Sequence, residues 1–524
     1  MKLGKLALAC AALCAAPAFA LTPAQVEASG NLKEVWITGA SAVLNNAFQG
    51  FATLCSGATY RNAAGVVVTN PGTMNLSVYL QNTGASALAP GQGAGNNVAY
   101  ACTVNTVDGR AGAFEGADVV VYHTVEGGSF NAYTPSLRAF GDTNAEIPAT
   151  LTRTTDLRQL DNGSNCAVAA PATASLTISG QANSVRRYTN CARTTVTLAT
   201  PTVAASVNVA GDVAPKQSSG GFSDTEYKIN QTLLNIATSV DELGTTYRTN
   251  VAQAFGVGVS KKLYRQLQKS QGLINTVADD GELCDTMVPG ACQPSISTAQ
   301  YASIAAVNTG GTINGAFFGG SSADTVQLLR RAQTSGTQSA STIQFLNNPC
   351  GVAENTGFYV PLRRADVYSG NTPLTKLLVE EHSSSGNVSG GLVTAANNSY
   401  ALGVLSMENA RDANGNWAYV RLNGASPNAQ VGLNGVETED LNNRVNAVRG
   451  TYPMWFELEG FVPYEQSGGD GDAYISSVIA SLGNPEITNL RGLFITGAAG
   501  VPANGANVSE FTRNALSCQP ALKP

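Results

Sequence analysis

Short β-branched runs that stop at glycine and hydroxyl residues alternate along this 524-residue chain with stretches of helical period. Val35-Trp36-Ile37-Thr38 runs into Gly39-Ala40-Ser41-Ala42, after which Val43, Leu44, Ala47, Phe48 and Phe51 recur at helical spacing. Ala117 to Tyr122 is a second strand, ending near Gly127-Gly128-Ser129, and Ser206 to Val209 a third, ahead of Gly211-Asp212-Val213-Ala214-Pro215. Phe255 to Val259 precedes an amphipathic helix over Lys261–Lys269. Val326 to Leu329 leads through Arg330 and Arg331 to a helix carrying Ile343, Phe345 and Leu346. Ser223-Asp224-Thr225-Glu226 reads as a capped helix start before Ile229, Leu233, Leu234 and Ile236, and Ser297 to Ile304 as another helix. Ala401–Leu405 and Tyr452–Leu458 close the strand set. Strands alternating with helices predict an α/β fold rather than an all-β sandwich. Residues 141–205, rich in Thr, Ala, Asn and Ser, read as a β-rich or irregular insertion.

Cysteine usage sets the compartment. Lys2 and Lys5, the apolar Leu6–Ala16 stretch and Ala18-Phe19-Ala20 form a secretory leader, with cleavage expected after Ala20. Leu13 is bulky for the position before a lipidated Cys14, so a lipid anchor is not expected. The leader's apolar run is too short to span a bilayer, and no later segment is apolar for long enough. Of the ten cysteines, Cys10 and Cys14 leave with the leader; Cys55, Cys102, Cys166, Cys191, Cys284, Cys292, Cys350 and Cys518 remain. An even set in an exported chain predicts disulfides, most simply in sequential pairs. Cys284–Cys292 is the firmest, around Pro289 and Gly290. The expected location is periplasmic or secreted.

With 13% charged residues and a formal net charge of −6, the chain has no global attraction for nucleic acid or anionic membranes. Its two histidines, His123 and His382, leave little room for a His-based metal site, and no cofactor is expected. No G-x-S-x-G elbow is present and both histidines read as structural, so no enzyme is expected. Trp36, Trp417 and Trp455 are expected in cores or domain packing.

Chemistry concentrates at the strand-to-loop junctions, where backbone N–H groups and helix N-termini favour anions. Arg331-x-x-x-Ser335-Gly336-Thr337 stands out. The guanidinium is a planar fork of donors, the two hydroxyls add more, and glycine admits close approach. Taken alone, the same residues also read as a capped helix with a surface arginine.

Here the chain resembles the periplasmic phosphate-binding proteins of phosphate importers, a branch of the type 2 periplasmic binding proteins. Arg331 to Thr337 (RAQTSGT) is similar to that family's R-x-x-G-S-G-T segment, which clamps phosphate. Ile37 to Ala42 resembles its ITGAGAT opening, Gly128-Ser129 its GSSGG loop, and Ala210 to Pro215 its A-S-D-A-P loop, whose Asp meets the ligand. Pro294–Ile304 with Thr312-Ile313-Asn314, Ser399–Met407 and Gly450–Pro453 follow in family order. The resemblance implies two α/β lobes of mixed sheets with flanking helices, joined by a hinge. Lobe one would cover 21–245 and the return 410–524, with lobe two at 246–409. It further implies a monomer that captures phosphate or a similar tetrahedral oxyanion for uptake by an inner-membrane ABC permease. Ser41, Ser129, Arg331, Ser335, Gly336 and Thr337 would donate to the anion and Asp212 would accept. Where the family has Thr and Phe, this chain has Val43 and Leu44; Gln333 replaces an Asp and Thr334 a Gly. These departures keep a second reading open, an extracellular structural or interaction protein on the same fold without a small ligand.

Overall fold

The computed structural model describes residues 25, 29–80, 97–125, 128–142, 157–160, 166–191, 193–196, 218–276, 284, 287–307, 313–351, 359–432, 434–487, 490–497 and 507–523. The leader, Gly127, the strand expected at Ser206–Val209 and the loop holding Asp212 lie outside these residues.

One mixed sheet of 14 strands organises the described chain. Its first part holds β1 (Leu32–Gly39), β2 (Ser77–Leu80), β3 (Asn97–Thr103), β4 (Asp118–Thr124), β5 (Ala167–Ile178), β6 (Gln181–Thr189) and β7 (Gly220–Ser223). Its second part holds β8 (Gly244–Ser260), β9 (Val326–Arg331), β10 (Leu377–His382), β11 (Tyr400–Ser406), β12 (Trp417–Tyr419), β13 (Trp455–Pro463) and β14 (Leu493–Ile495). The order is β10-β9-β11-β8-β13-β7-β1-β4-β3-β2-β6-β5, with β12 and β14 also pairing to β8. β1 is parallel to β4 and β7, and β9 to β10 and β11, whereas β8 is antiparallel to β11 and β13. Flanking helices include α1 (Ser41–Ala52), α2 (Tyr227–Leu233), α3 (Lys261–Ser270), α4 (Thr298–Ala305), α5 (Gly336–Leu346), α6 (Ser385–Ala395) and α7 (Asp470–Leu482). The expected mixed α/β class is the observed one.

The two largest apolar cores mark two lobes. The first gathers Val35, Ile37, Val43, Leu44, Phe48 and Phe51 with Val119 and Val121. The second gathers Val257, Val259, Leu263, Leu328, Leu329 and Leu402. Strands β8 and β13 belong to both: Val251 and Leu458 face the first core, Ala252, Phe255, Trp455 and Phe456 the second. The β8–β13 register slips between Arg248 and Ala252, and Thr249 Oγ1 donates to Leu458 O at 2.7 Å there. Beyond residue 410 the chain contributes to both cores: Trp417–Leu422, Tyr452–Phe456 and Phe494 pack in the second, and Leu458, Val462, Tyr474 and Val478 in the first.

Local sequence explains the element ends. Ser297 accepts from Gln300 N and Gln300 from Ser297 N, a reciprocal cap that starts α4 where its signature stands. β13 begins at Trp455, later than expected, because Pro453 has no N–H for a ladder. Ser223 closes β7 rather than opening a helix, and α2 starts at Tyr227. Within 141–205, β5 and β6 form a hairpin that adds to the lobe-one sheet through a parallel β2–β6 pairing. Disulfides join Cys55–Cys102, Cys166–Cys191, Cys284–Cys292 and Cys350–Cys518. Trp36 stacks on Tyr122, and Trp417 and Trp455 are buried. His123 is buried in the sheet, where desolvation pushes its pKa down to about 3. Among the described residues, no helix is long and apolar enough to cross a membrane.

Candidate functional site

Parallel strands deliver their carboxyl ends to one place. From lobe one come the ends of β1, β4 and β7; from lobe two, those of β9, β10 and β11. Ala40 N donates to Phe222 O at 2.8 Å, and Thr38 Oγ1 to Asn131 O at 2.5 Å. These bonds set the start of α1 and the 128–132 turn beside Ser223-Asp224. Ser129 Oγ donates to Asp224 Oδ2 at 2.7 Å and accepts from Gly336 N at 3.0 Å. Phe130 N donates to Thr334 O at 2.9 Å. The two lobes therefore meet along a seam built from Ser129, Asp224 and the first residues of α5.

Glycine is required at this seam. Gly128 has φ +94°, and a Cβ there would lie 2.8 Å from Ser335 Cα. A Cβ on Gly336 would lie 2.5 Å from Ser129 Oγ and 2.6 Å from Asp224 Cβ.

Arg331, 3% exposed, ends β9 under this seam. Its Nε donates to His382 O (3.3 Å), Nη1 to Ser385 Oγ (3.0 Å) and Thr337 Oγ1 (3.4 Å), and Nη2 to Ser383 O (2.9 Å). Burial pushes its pKa down to about 10, against the attraction of Asp224 and Glu408. Asp224 is 2% exposed. Burial pushes its carboxyl up to about 6, while the Ser129 hydroxyl and the Arg331 charge hold it back. Its Oδ1 is buried without a hydrogen-bond partner among the described residues. Glu408, just past β11, is pushed up to about 8 by burial and by Asp224, against the Ser406 hydroxyl and Arg331.

The residues expected from sequence divide as follows. Ser129, Arg331, Gly336 and Thr337 are brought together, with Ser335 as the N-cap of α5 beside Gly128. Ser41 opens α1, half-buried, at the end of β1. Val43 and Leu44 point into the first core and offer the site nothing. Asp212 lies outside the described residues; among those described, Asp224 is the carboxylate that Ser129 meets at the seam. Sequence reasoning passed over Asp224, Ser385, Ser406 and Glu408. A signal for the first existed: Ser223-Asp224 after a short strand keeps the Ser-Asp pair that Gly211-Asp212 lacks.

Chemically, the cluster offers one buried guanidinium, several hydroxyls and the N-terminus of α5, with two carboxyls that accept or share protons. Among the described residues no group of three or more His, Cys, Asp or Glu could hold a metal ion. No family model and no curated protein matches the sequence. Solved structures that match include an ABC-type phosphate transport receptor from Vibrio cholerae, 12% identical over 49% of this chain and 72% of that one, with a TM-score of 0.26. A possible phosphate binding protein from Planctomyces limnophilus is 13% identical over 51% of this chain and 66% of that one, with a TM-score of 0.24.

Proposed function

We propose that this chain is an exported binding protein that captures a protonated tetrahedral oxyanion, phosphate in the simplest case, at the seam between its lobes. The carrying observation is the pair formed by buried Arg331 and buried Asp224, whose Oδ1 has no partner among the described residues. A carboxylate accepts hydrogen bonds and cannot donate them, so it suits an anion that still bears a proton. Arg331, Ser129, Thr337 and the α5 N-terminus supply donors for the remaining oxygens. Ser41 and Ser335 are further candidate donors on the same reading, and Asp212 a further candidate acceptor. Four disulfides support an oxidising compartment, periplasmic or extracellular. Delivery to a membrane permease is the use such capture would serve.

One observation favours the ligand-free structural reading. The three nitrogens of Arg331 already make four bonds within the chain. Equilibrium dialysis of refolded, phosphate-free protein against labelled phosphate separates the two. Arg331→Ala is expected to abolish binding. Arg330 turns away from the seam, donating to Leu362 O at 2.6 Å and lying 3.8 Å from Glu381. Arg330→Ala is expected to lower thermal stability while the folded fraction keeps its affinity. Equal losses of affinity from the two would remove Arg331 from its assigned role.

A further inference from the structure

The seam holds more acid than an anion tolerates. Asp224 and Glu408 both act on the single Arg331 charge, so with both carboxyls ionised the cluster is net negative before any anion arrives. The hydroxyls between them indicate how that conflict is resolved. Arg331 Nη1 donates to Ser385 Oγ at 3.0 Å, Ser385 Oγ lies 3.3 Å from Ser406 Oγ, and Ser406 Oγ lies 3.1 Å from Glu408 Oε1. Each serine has one proton to give. If Glu408 is ionised, the one Ser406 proton goes to it and no longer to Ser385. Ser385 Oγ then accepts from Arg331 alone, and its hydroxyl is not fixed toward a ligand. If Glu408 carries a proton it donates to Ser406, Ser406 donates to Ser385, and the Ser385 proton is released toward the seam.

We propose that Glu408 is a specificity-determining residue that is protonated in the anion-bound state and, through Ser406, turns the Ser385 hydroxyl toward the anion. The inference rests on the oxyanion reading above and deepens it by adding a donor and a coupled proton. Ligand capture at alkaline pH then takes up one proton from solvent onto the Glu408 carboxyl, with no bond made or broken elsewhere.

The groups around Glu408 agree with this polarity. Asp224 faces it from the end of β7 and disfavours its charge; Arg331, at the end of β9, favours it. Tyr419, on β12, donates to Asn409 O and stays protonated, its pKa raised by burial and by Glu408, against the charge of Arg491. His382, at the end of β10, has its pKa lowered by burial, against the charge of Glu380 and with that of Arg331, and so adds no charge at alkaline pH. Desolvation lifts the half-buried Glu408 to about 8, so above that pH binding must draw a proton in. Over the alkaline range phosphate stays a monoprotonated dianion and keeps the proton that Asp224 accepts.

The test is calorimetric titration of refolded, phosphate-free full-length protein with inorganic phosphate above about pH 8, in two buffers of different protonation enthalpy. Wild type is expected to take up close to one proton per phosphate, with affinity falling about tenfold per pH unit, the slope of a single linked proton. Glu408→Gln, whose amide donates permanently to Ser406, is expected to lose both the uptake and the slope and to bind more tightly than wild type at the alkaline end. Ser406→Ala, which cuts the link, is expected to weaken phosphate binding at neutral pH. Phosphate binding by wild type without proton uptake, or an equal slope in Glu408→Gln, would overturn the relay and leave the oxyanion reading standing. Absence of phosphate binding by wild type would overturn both.

Discussion

Asp224 illustrates how much a single side chain can decide. Phosphate can donate to its buried Oδ1, whereas sulfate carries no proton and would set an oxygen against a carboxylate. An unpaired buried group costs about 1–3 kcal/mol, which is roughly a five- to hundredfold preference for phosphate. Asp224→Asn, whose amide can donate to sulfate, is expected to narrow that gap in competition assays; an unchanged ratio would remove Asp224 from selectivity. Gly336 is the steric counterpart. A methyl there would sit 2.5 Å from Ser129 Oγ, so Gly336→Ala is expected to cost about 1–3 kcal/mol of stability and most of the binding. A thermal melt matching wild type would show that the seam is looser than described.

Among the elements, the most exposed to test is the segment that ends the chain. Cys518 is tied to Cys350, beyond α5 in lobe two, while Ser517 N donates at 2.8 Å to Glu226 beside lobe one. Thr512 Oγ1 donates to Glu457 at 2.6 Å on the crossing strand β13. The Cys350–Cys518 bridge closes a separation of 168 residues, and Cys284–Cys292 one of 8. Loop-closure entropy grows with loop length, so Cys350→Ser with Cys518→Ser is expected to cost about 2–5 kcal/mol in urea unfolding and to exceed Cys284→Ser with Cys292→Ser. Much at this scale was legible in the sequence. Val119–Tyr122 is a continuous apolar run and Val326–Leu329 one broken only by Gln327, so both read directly as strands, and the spacing from Arg331 to Thr337 marks a strand end feeding a helix. Ser223–Glu226 misled because a hydroxyl–acid pair spells a helix cap and a strand-end turn alike. The β5–β6 hairpin was hidden by its small polar residues, which carry little period. Ser385, Ser406 and Glu408 could not be joined from sequence, since their association depends on the ends of β9, β10 and β11 being neighbours.

At the scale of the whole molecule, burial of acids sets the pH response. A carboxyl whose folded pKa exceeds its unfolded value binds more protons when folded between the two values, so stability falls as pH rises through that window. Asp224 covers 3.8 to about 6, and Glu408 covers 4.5 to about 8. Asp324 and Asp472, whose pKa values are lowered below 3.8, act in the opposite sense in stronger acid, and His123, held down at about 3, opposes the trend up to its ordinary 6.5, so the fall is clearest above that value, where Glu408 titrates. Thermal melts of the unliganded protein are expected to drop in midpoint as pH rises through this range, with Glu408→Gln flattening the upper part; a midpoint that rises instead would mean these carboxyls are solvated. Two cores sharing β8 and β13 give the seam its composition, because lobe one supplies Ser129 and Asp224 and lobe two supplies Arg331 and α5. The central claim is that this seam is an oxyanion site. Calorimetric titration of refolded, phosphate-free protein with phosphate and then sulfate tests it most directly. The expected result is saturable phosphate binding at least about fivefold tighter than sulfate; equal affinity for the two, or heat from neither, would contradict it.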